Sequence, residues 1–164
     1  MKVLFLTKQI NEKSGWGRYS SELIHEIVNQ NTECFVACQT RSPDVDIKQY
    51  ELMPNAESPK RCFLLSPIYA LIIFLKIPAK EKPDIIHCHI EVYSLVAFFL
   101  SLLFRVRYVL TMHGSYAVRY LLDTYKFFQV FTYRKAAKII CVSMYTFNQI
   151  KKIRYKKDPI KELE

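Results

Sequence analysis

The chain has 164 residues, 51% of them apolar and 24% charged, which suits one folded domain with a real core and excludes a disordered segment. The formal net charge of +9 points to an acidic partner (nucleic acid, anionic lipid or a phosphorylated substrate) or to a solvated basic surface. Five cysteines without a C-x-x-C pair argue against a zinc site or a disulfide framework and read as small buried hydrophobes of a reducing compartment.

The first element is a strand over residues 2–7, where Val3, Leu4, Phe5 and Leu6 form an unbroken apolar run with no signal-peptide pattern. A loop over 11–17 leads to a helix over 18–29, with Tyr19, Leu23, Ile24, Ile27 and Val28 at helical spacing. A second strand is predicted over 33–39, then an irregular surface loop over 41–59 marked by Pro43, Pro54 and Pro59. Residues 60–65 read as a third strand. Pro67 opens a helix that Pro78 closes.

A strand over 84–90 is followed by a buried helix over 92–104. A strand over 107–112 ends at His113-Gly114, a helix covers 119–135, a strand spans 138–142 and ends at Ser143, and a basic helix covers 145–155. Two apolar runs, 63–77 and 92–104, fall short of the roughly 20 residues that span a bilayer. Both are expected to be buried helices, with contact along one membrane face left open.

Strands alternate with helices throughout. The expected fold class is therefore α/β and Rossmann-like, a mostly parallel sheet of about six strands with helices on both faces. The first strand should be central and parallel to the one at 84–90. Ligands of such sheets bind beyond the C-terminal strand ends, so the informative segments are 9–17, 87–91, 113–116 and 143–146.

Three of these segments carry candidate chemistry. Gly15-Trp16-Gly17 lies between the first strand and helix, where glycines let backbone N–H groups approach an anion. It lacks the third glycine of a dinucleotide fingerprint, and Gln39, Thr40 and Arg41 stand where an acidic residue would follow the second strand, so a nicotinamide cofactor is disfavoured. A plain tight turn is the competing reading. In Asp84-Ile85-Ile86-His87-Cys88-His89, alternation puts both histidines on one face of the strand. His87 is expected to be a satisfied buried residue and His89, nearer the tip, to face a ligand. A metal would need His113 as third ligand. His113, at the end of Thr111-Met112-His113-Gly114, sits where its imidazole could donate to a sugar hydroxyl or to developing negative charge. Glu91 also follows a strand end, but nothing in the sequence orients it, and a solvated loop carboxylate is expected. There is no G-x-S-x-G, P-loop or paired acidic cluster.

Taken in order, four pieces resemble the N-terminal domain of the retaining GT-B glycosyltransferases of family 4. They are the opening strand with Gly15-Trp16-Gly17-Arg18-Tyr19, the run Pro83 to His89, the segment Thr111 to Gly114, and Ala137-Lys138-Ile139-Ile140-Cys141-Val142-Ser143. The likeness covers residues 1–152. It implies that Gly15 and Gly17, with Trp16 between them, approach the donor diphosphate and acceptor, and that His113 faces the donor sugar as the catalytic-site histidine. His89, Gly114 and Ser143 complete the implied substrate-binding set. The partners implied are a nucleotide-sugar donor and a glycan or lipid-linked acceptor, with no metal, no cofactor and no nucleic acid. Family members carry a basic pair and an E-x7-E motif in a second domain, and no two glutamates here stand eight apart. Residues 1–155 are thus expected to be the acceptor-side domain and 156–164 the start of an interdomain linker or a tail, with the donor-binding domain supplied in cis or in trans.

The implied location is cytoplasmic and peripheral at the inner membrane face. Mixed basic and aromatic residues over 119–138 are the expected contact with anionic lipid. A non-catalytic module holding a sugar, nucleotide or lipid head group is the alternative, and a flavodoxin-like or oxidoreductase domain is argued against by the incomplete fingerprint.

Overall fold

The computed structural model describes residues 1–11, 15–114 and 126–155. Six strands form one all-parallel sheet: β1 (Lys2–Thr7), β2 (Glu33–Cys38), β3 (Lys48–Glu51), β4 (Ile85–Cys88), β5 (Arg107–Met112) and β6 (Lys138–Cys141). Their order is β3-β2-β1-β4-β5-β6, so β1 lies inside the sheet and is parallel to β4, as expected. The chain reverses direction across the sheet between β1 and β4, and such a switch point leaves a crevice beyond the strand ends.

Two packing layers follow from the alternation of side chains. Leu4, Leu6, Phe35, Ala37, Ile86, Cys88, Leu110 and Met112 enter the larger core. Val3, Phe5, Val36 and Cys38 enter the smaller one, closed by Ile24 of α1 (Gly15–Asn29). Helix α1 turns Gly17, Ser20, Ser21 and Ile24 inward, a stripe at helical spacing. The larger core is covered by α3 (Ser66–Lys76), α4 (Ser94–Phe104) and α5 (Lys126–Lys135), with the tilted rings of Phe74 and Phe104 joining α3 to α4 at 5.0 Å. Helix α6 (Met144–Tyr155) contributes Ile150 to the same core.

Three local expectations are corrected. Residues 60–65 are not a strand: they fall in a short helix α2 (Pro59–Leu64), with proline in its first turn and Cys62 and Phe63 buried. A brief apolar run fits either period, and the proline at the start decides for the helix. The loop over 41–59 contains the edge strand β3, whose residues Lys-Gln-Tyr-Glu carry no apolar signal. Side-chain bonds hold it instead: Lys48 and Tyr50 both reach the carboxylate of Glu81, while Gln49, on the opposite side, accepts from the Ser42 N–H at 2.9 Å and donates to its carbonyl at 2.8 Å. Finally, α1 begins at Gly15, so Gly15-Trp16-Gly17 is a first helical turn and not a loop.

The run 63–77 was expected to be buried, yet α3 is buried on one side only. Ser66, Ala70 and Ile73 face the core, and Ile68, Leu71, Ile72 and Leu75 are exposed. Among the described residues no helix is long and apolar enough to cross a membrane. Of the expected basic-aromatic surface over 119–138, residues 119–125 lie outside the described residues. Tyr133 is fully buried, and Phe127 and Phe128 are exposed.

Candidate functional site

The strand ends at the switch point bring one face of β1, β4 and β5 together. Phe5, His87 and Val109 are register partners, and Thr7, His89 and Thr111 follow two residues further along the same face. Histidines 87 and 89 share this face, as the alternation predicts, and their rings are 4.4 Å apart at the centroids. Cys88 points into the opposite core.

Each ring is held by neighbours. His87 is buried, and its Nε2 lies 2.8 Å from Thr111 Oγ1, the satisfied buried histidine anticipated. His89 is 1% exposed, and its Nδ1 lies 2.8 Å from Ser20 Oγ of α1, which in turn is 3.3 Å from Thr7 Oγ1. His89 Nε2 is buried with no hydrogen-bond partner among the described residues. Tyr19 packs edge-on against His113 at 5.1 Å and lies 6.0 Å from His89. The residues one turn after Gly-Trp-Gly therefore sit directly on the histidines, and the first turn of α1 opens beside them.

Burial keeps these imidazoles neutral, because a charged form loses its water. It pushes His87 down to about 4, with the nearby His113 adding to the effect. His89 is held well below its ordinary value by burial, then by His87 and His113. His113 is lowered by burial, partly offset by a hydrogen bond to the His89 backbone. A neutral imidazole can donate to one group and accept from another, which suits sugar hydroxyls and developing negative charge.

Glu91 corrects the expectation of a solvated loop carboxylate. It is 2% exposed, and its Oε1 accepts the His113 backbone N–H at 2.7 Å. Burial raises its pKa to about 7 despite hydrogen bonds from the backbone of Glu91 and His113. It pins the segment that presents His113. The only sequence signal for this residue was its place just past a strand end.

The remaining expected residues divide. Gly15 is exposed, and among the described residues a Cβ there would meet nothing within 4 Å. The side chain of Trp16 lies outside the described residues, as do residues 115 and 116. Gly114 has φ +96°, a conformation that favours glycine. A Cβ there would meet Thr146 Oγ1 at an ordinary 3.4 Å, so the cost of substitution is in the backbone. Gly114→Ala is expected to destabilise the protein by about 1–2 kcal/mol in urea unfolding. Ser143 is exposed and caps α6: its Oγ accepts the Thr146 N–H at 3.2 Å. Among the described residues no group of three or more His, Cys, Asp or Glu side chains is set to hold a metal.

Beyond the ends of β1 and β2, on the far side of α1, lies a cavity of about 700 Å³ lined by Gln9, Asn11, Ser21, His25, Ser42 and Asp44 among others. Ser42 Oγ is buried with no hydrogen-bond partner among the described residues. None of the last four lining residues stood out in the sequence.

Residues 13–162 match the family model described as Glycosyltransferase Family 4. The chain belongs to Glycosyltransferase Family 4. No curated protein matches it. The match spans the helix α1 with its first-turn glycines, the His87–His89 strand end, His113-Gly114 and the Ser143 cap. The six-stranded parallel sheet is the Rossmann-like α/β core of this Family 4 domain.

Proposed function

We propose that this chain is the acceptor-side domain of a glycosyltransferase that moves a sugar from a nucleotide-sugar donor to a glycan or lipid-linked acceptor. One observation carries the reading. In a Family 4 chain, the first turn of α1, the orphaned Nε2 of His89 and the His113-Gly114 turn converge at the switch point of a parallel sheet. The first turn of α1 holds no acidic residue, and the positive end of the helix there suits a diphosphate. His113 meets the donor sugar as a neutral imidazole and is the catalytic-site residue. His89 Nε2 takes a sugar hydroxyl. Gly114 lets the backbone turn close to the donor, and Ser143 borders the mouth at the N-terminus of α6. The polar cavity beside Ser21 and Ser42 receives hydroxyl groups of the acceptor. A second domain, in cis or in trans, supplies the other wall of the cleft and the groups aimed at the leaving diphosphate. No metal or organic cofactor takes part.

Titrating isotope-labelled protein with UDP- and GDP-sugars tests this. Amide shifts are expected to cluster at Gly15, Gly17, His89, His113 and Gly114 for the correct nucleotide. No shifts with any nucleotide sugar, or shifts confined to the far end of the sheet, would overturn the assignment. Transfer of labelled sugar to a polyprenyl-linked acceptor, with the second domain present, then tests the reaction itself.

A further inference from the structure

We infer that the outer face of α3, with the end of α2, is a docking surface for an anionic lipid bilayer. The sequence from Ser58 to Lys80 contains Lys60, Arg61, Lys76 and Lys80 and no aspartate or glutamate. The structure distributes these residues in a pattern that an ordinary surface helix does not have. Its core side is satisfied by Ser66, Ala70, Ile73 and the following Ile77. Its solvent side should then be polar. Instead Leu64, Ile68, Leu71, Ile72 and Leu75 are 78%, 55%, 48%, 38% and 70% exposed. Within α3, the spacing of three, one and three residues puts Ile68, Leu71, Ile72 and Leu75 on one stripe, and Leu64 is the last residue of the adjoining α2. Lys60 and Arg61 stand at one end of that stripe, and Lys76 and Lys80 at the other, all exposed.

An apolar stripe bounded by cations at both ends is the profile of a helix that lies in a membrane interface. The leucines and isoleucines enter the acyl boundary, and the lysines and arginine meet phosphate head groups. Length excludes a spanning role, since α3 has 11 residues. Charge argues against a second copy of the chain as the occupant. A symmetric pair through this stripe would bring the same four cations together in a protein already at +9. An anionic leaflet complements both parts of the surface. The stripe is on the cover of the larger core, away from the α1 face, so a docked domain keeps its histidine mouth free. The inference concerns where the domain sits and stands whether or not sugar transfer is its reaction.

The test is co-sedimentation with phosphatidylcholine vesicles, with and without phosphatidylglycerol, at low and high salt. The protein is expected to bind the anionic vesicles at low salt and to bind less at high salt. Leu71→Glu with Leu75→Glu, on exposed positions outside the core, is expected to abolish sedimentation while circular dichroism stays unchanged. Arg61→Gln with Lys76→Gln is expected to weaken binding roughly thirtyfold and to flatten its salt dependence. Absence of binding to anionic vesicles at low salt would overturn the inference, as would unchanged binding by the glutamate variant. A dimer in solution scattering that the glutamate variant dissociates, without vesicle binding, would assign the stripe to a second copy instead.

Discussion

Lowering the pH from 6.5 to 4 is expected to weaken the fold, because the histidines at the strand ends are buried in their neutral form. His87 has an ordinary value of 6.5 and is pushed down to about 4. Between those limits the unfolded chain takes up a proton that the folded chain refuses. The contribution of His87 is therefore complete above pH 6.5 and lost as pH falls through 4. At about 1.4 kcal/mol per pH unit this is about 3 kcal/mol. His89 and His113 are lowered as well and act in the same sense. Glu91 acts in the opposite sense. Its value rises from 4.5 to about 7, so its contribution is complete below 4.5 and lost as pH rises through 7. Over the overlap the carboxyl offsets about one histidine, and the others leave a net loss on acidification. Urea midpoints from pH 7 to pH 4 test the balance. The paired change His87→Gln and His89→Gln should flatten the acid fall, whereas Glu91→Gln should steepen it. A wild-type midpoint constant over this range would refute the neutral-histidine account.

The parts of this architecture that were legible in the sequence are those set by strong period signals. The central strands β1, β2, β4 and β5 are buried on both faces, and their unbroken runs such as Val3 to Leu6 say so directly. The facing of His87 and His89 followed from alternation alone. What stayed hidden depends on contacts between distant segments. Strand β3 is polar because it is an edge, and it is defined by the carboxylate of Glu81 thirty-odd positions away. The burial of Glu91 is likewise set by the His113 backbone N–H, a partner 22 residues on. The exposed stripe of α3 was invisible because an all-apolar helix reads the same whether its second side meets protein, lipid or water. Of the candidate site, the residue positions were readable from strand ends, but the bonds that fix them were not.

On the proposed reading, in which a donor-binding domain completes the enzyme, His113→Ala is expected to lower kcat by about 10²–10³-fold with little change in stability. That is the magnitude seen when one donor to developing negative charge is removed from a closed site. The imidazole is only half-buried, so its loss leaves no large cavity. Glu91 is a positioning residue: it acts through the His113 N–H it accepts at 2.7 Å. The two conservative changes at this site therefore separate its roles. Glu91→Gln keeps a neutral acceptor for that N–H, so turnover at neutral pH should stay close to wild type, while any kinetic titration near 7 disappears. Glu91→Leu leaves the N–H buried without an acceptor, which costs about 1–3 kcal/mol and lets the turn at Gly114 shift. Its kcat should fall with a smaller change in KM, since the proposed donor contact at the first turn of α1 is untouched. Measuring kcat and KM against pH for the three variants, with melting curves alongside, decides the matter. Wild-type kcat in His113→Ala would remove this histidine from the reaction. A Glu91→Gln enzyme as impaired as Glu91→Leu would mean that the negative charge of the carboxylate, and not its grip on the backbone, is what the site uses.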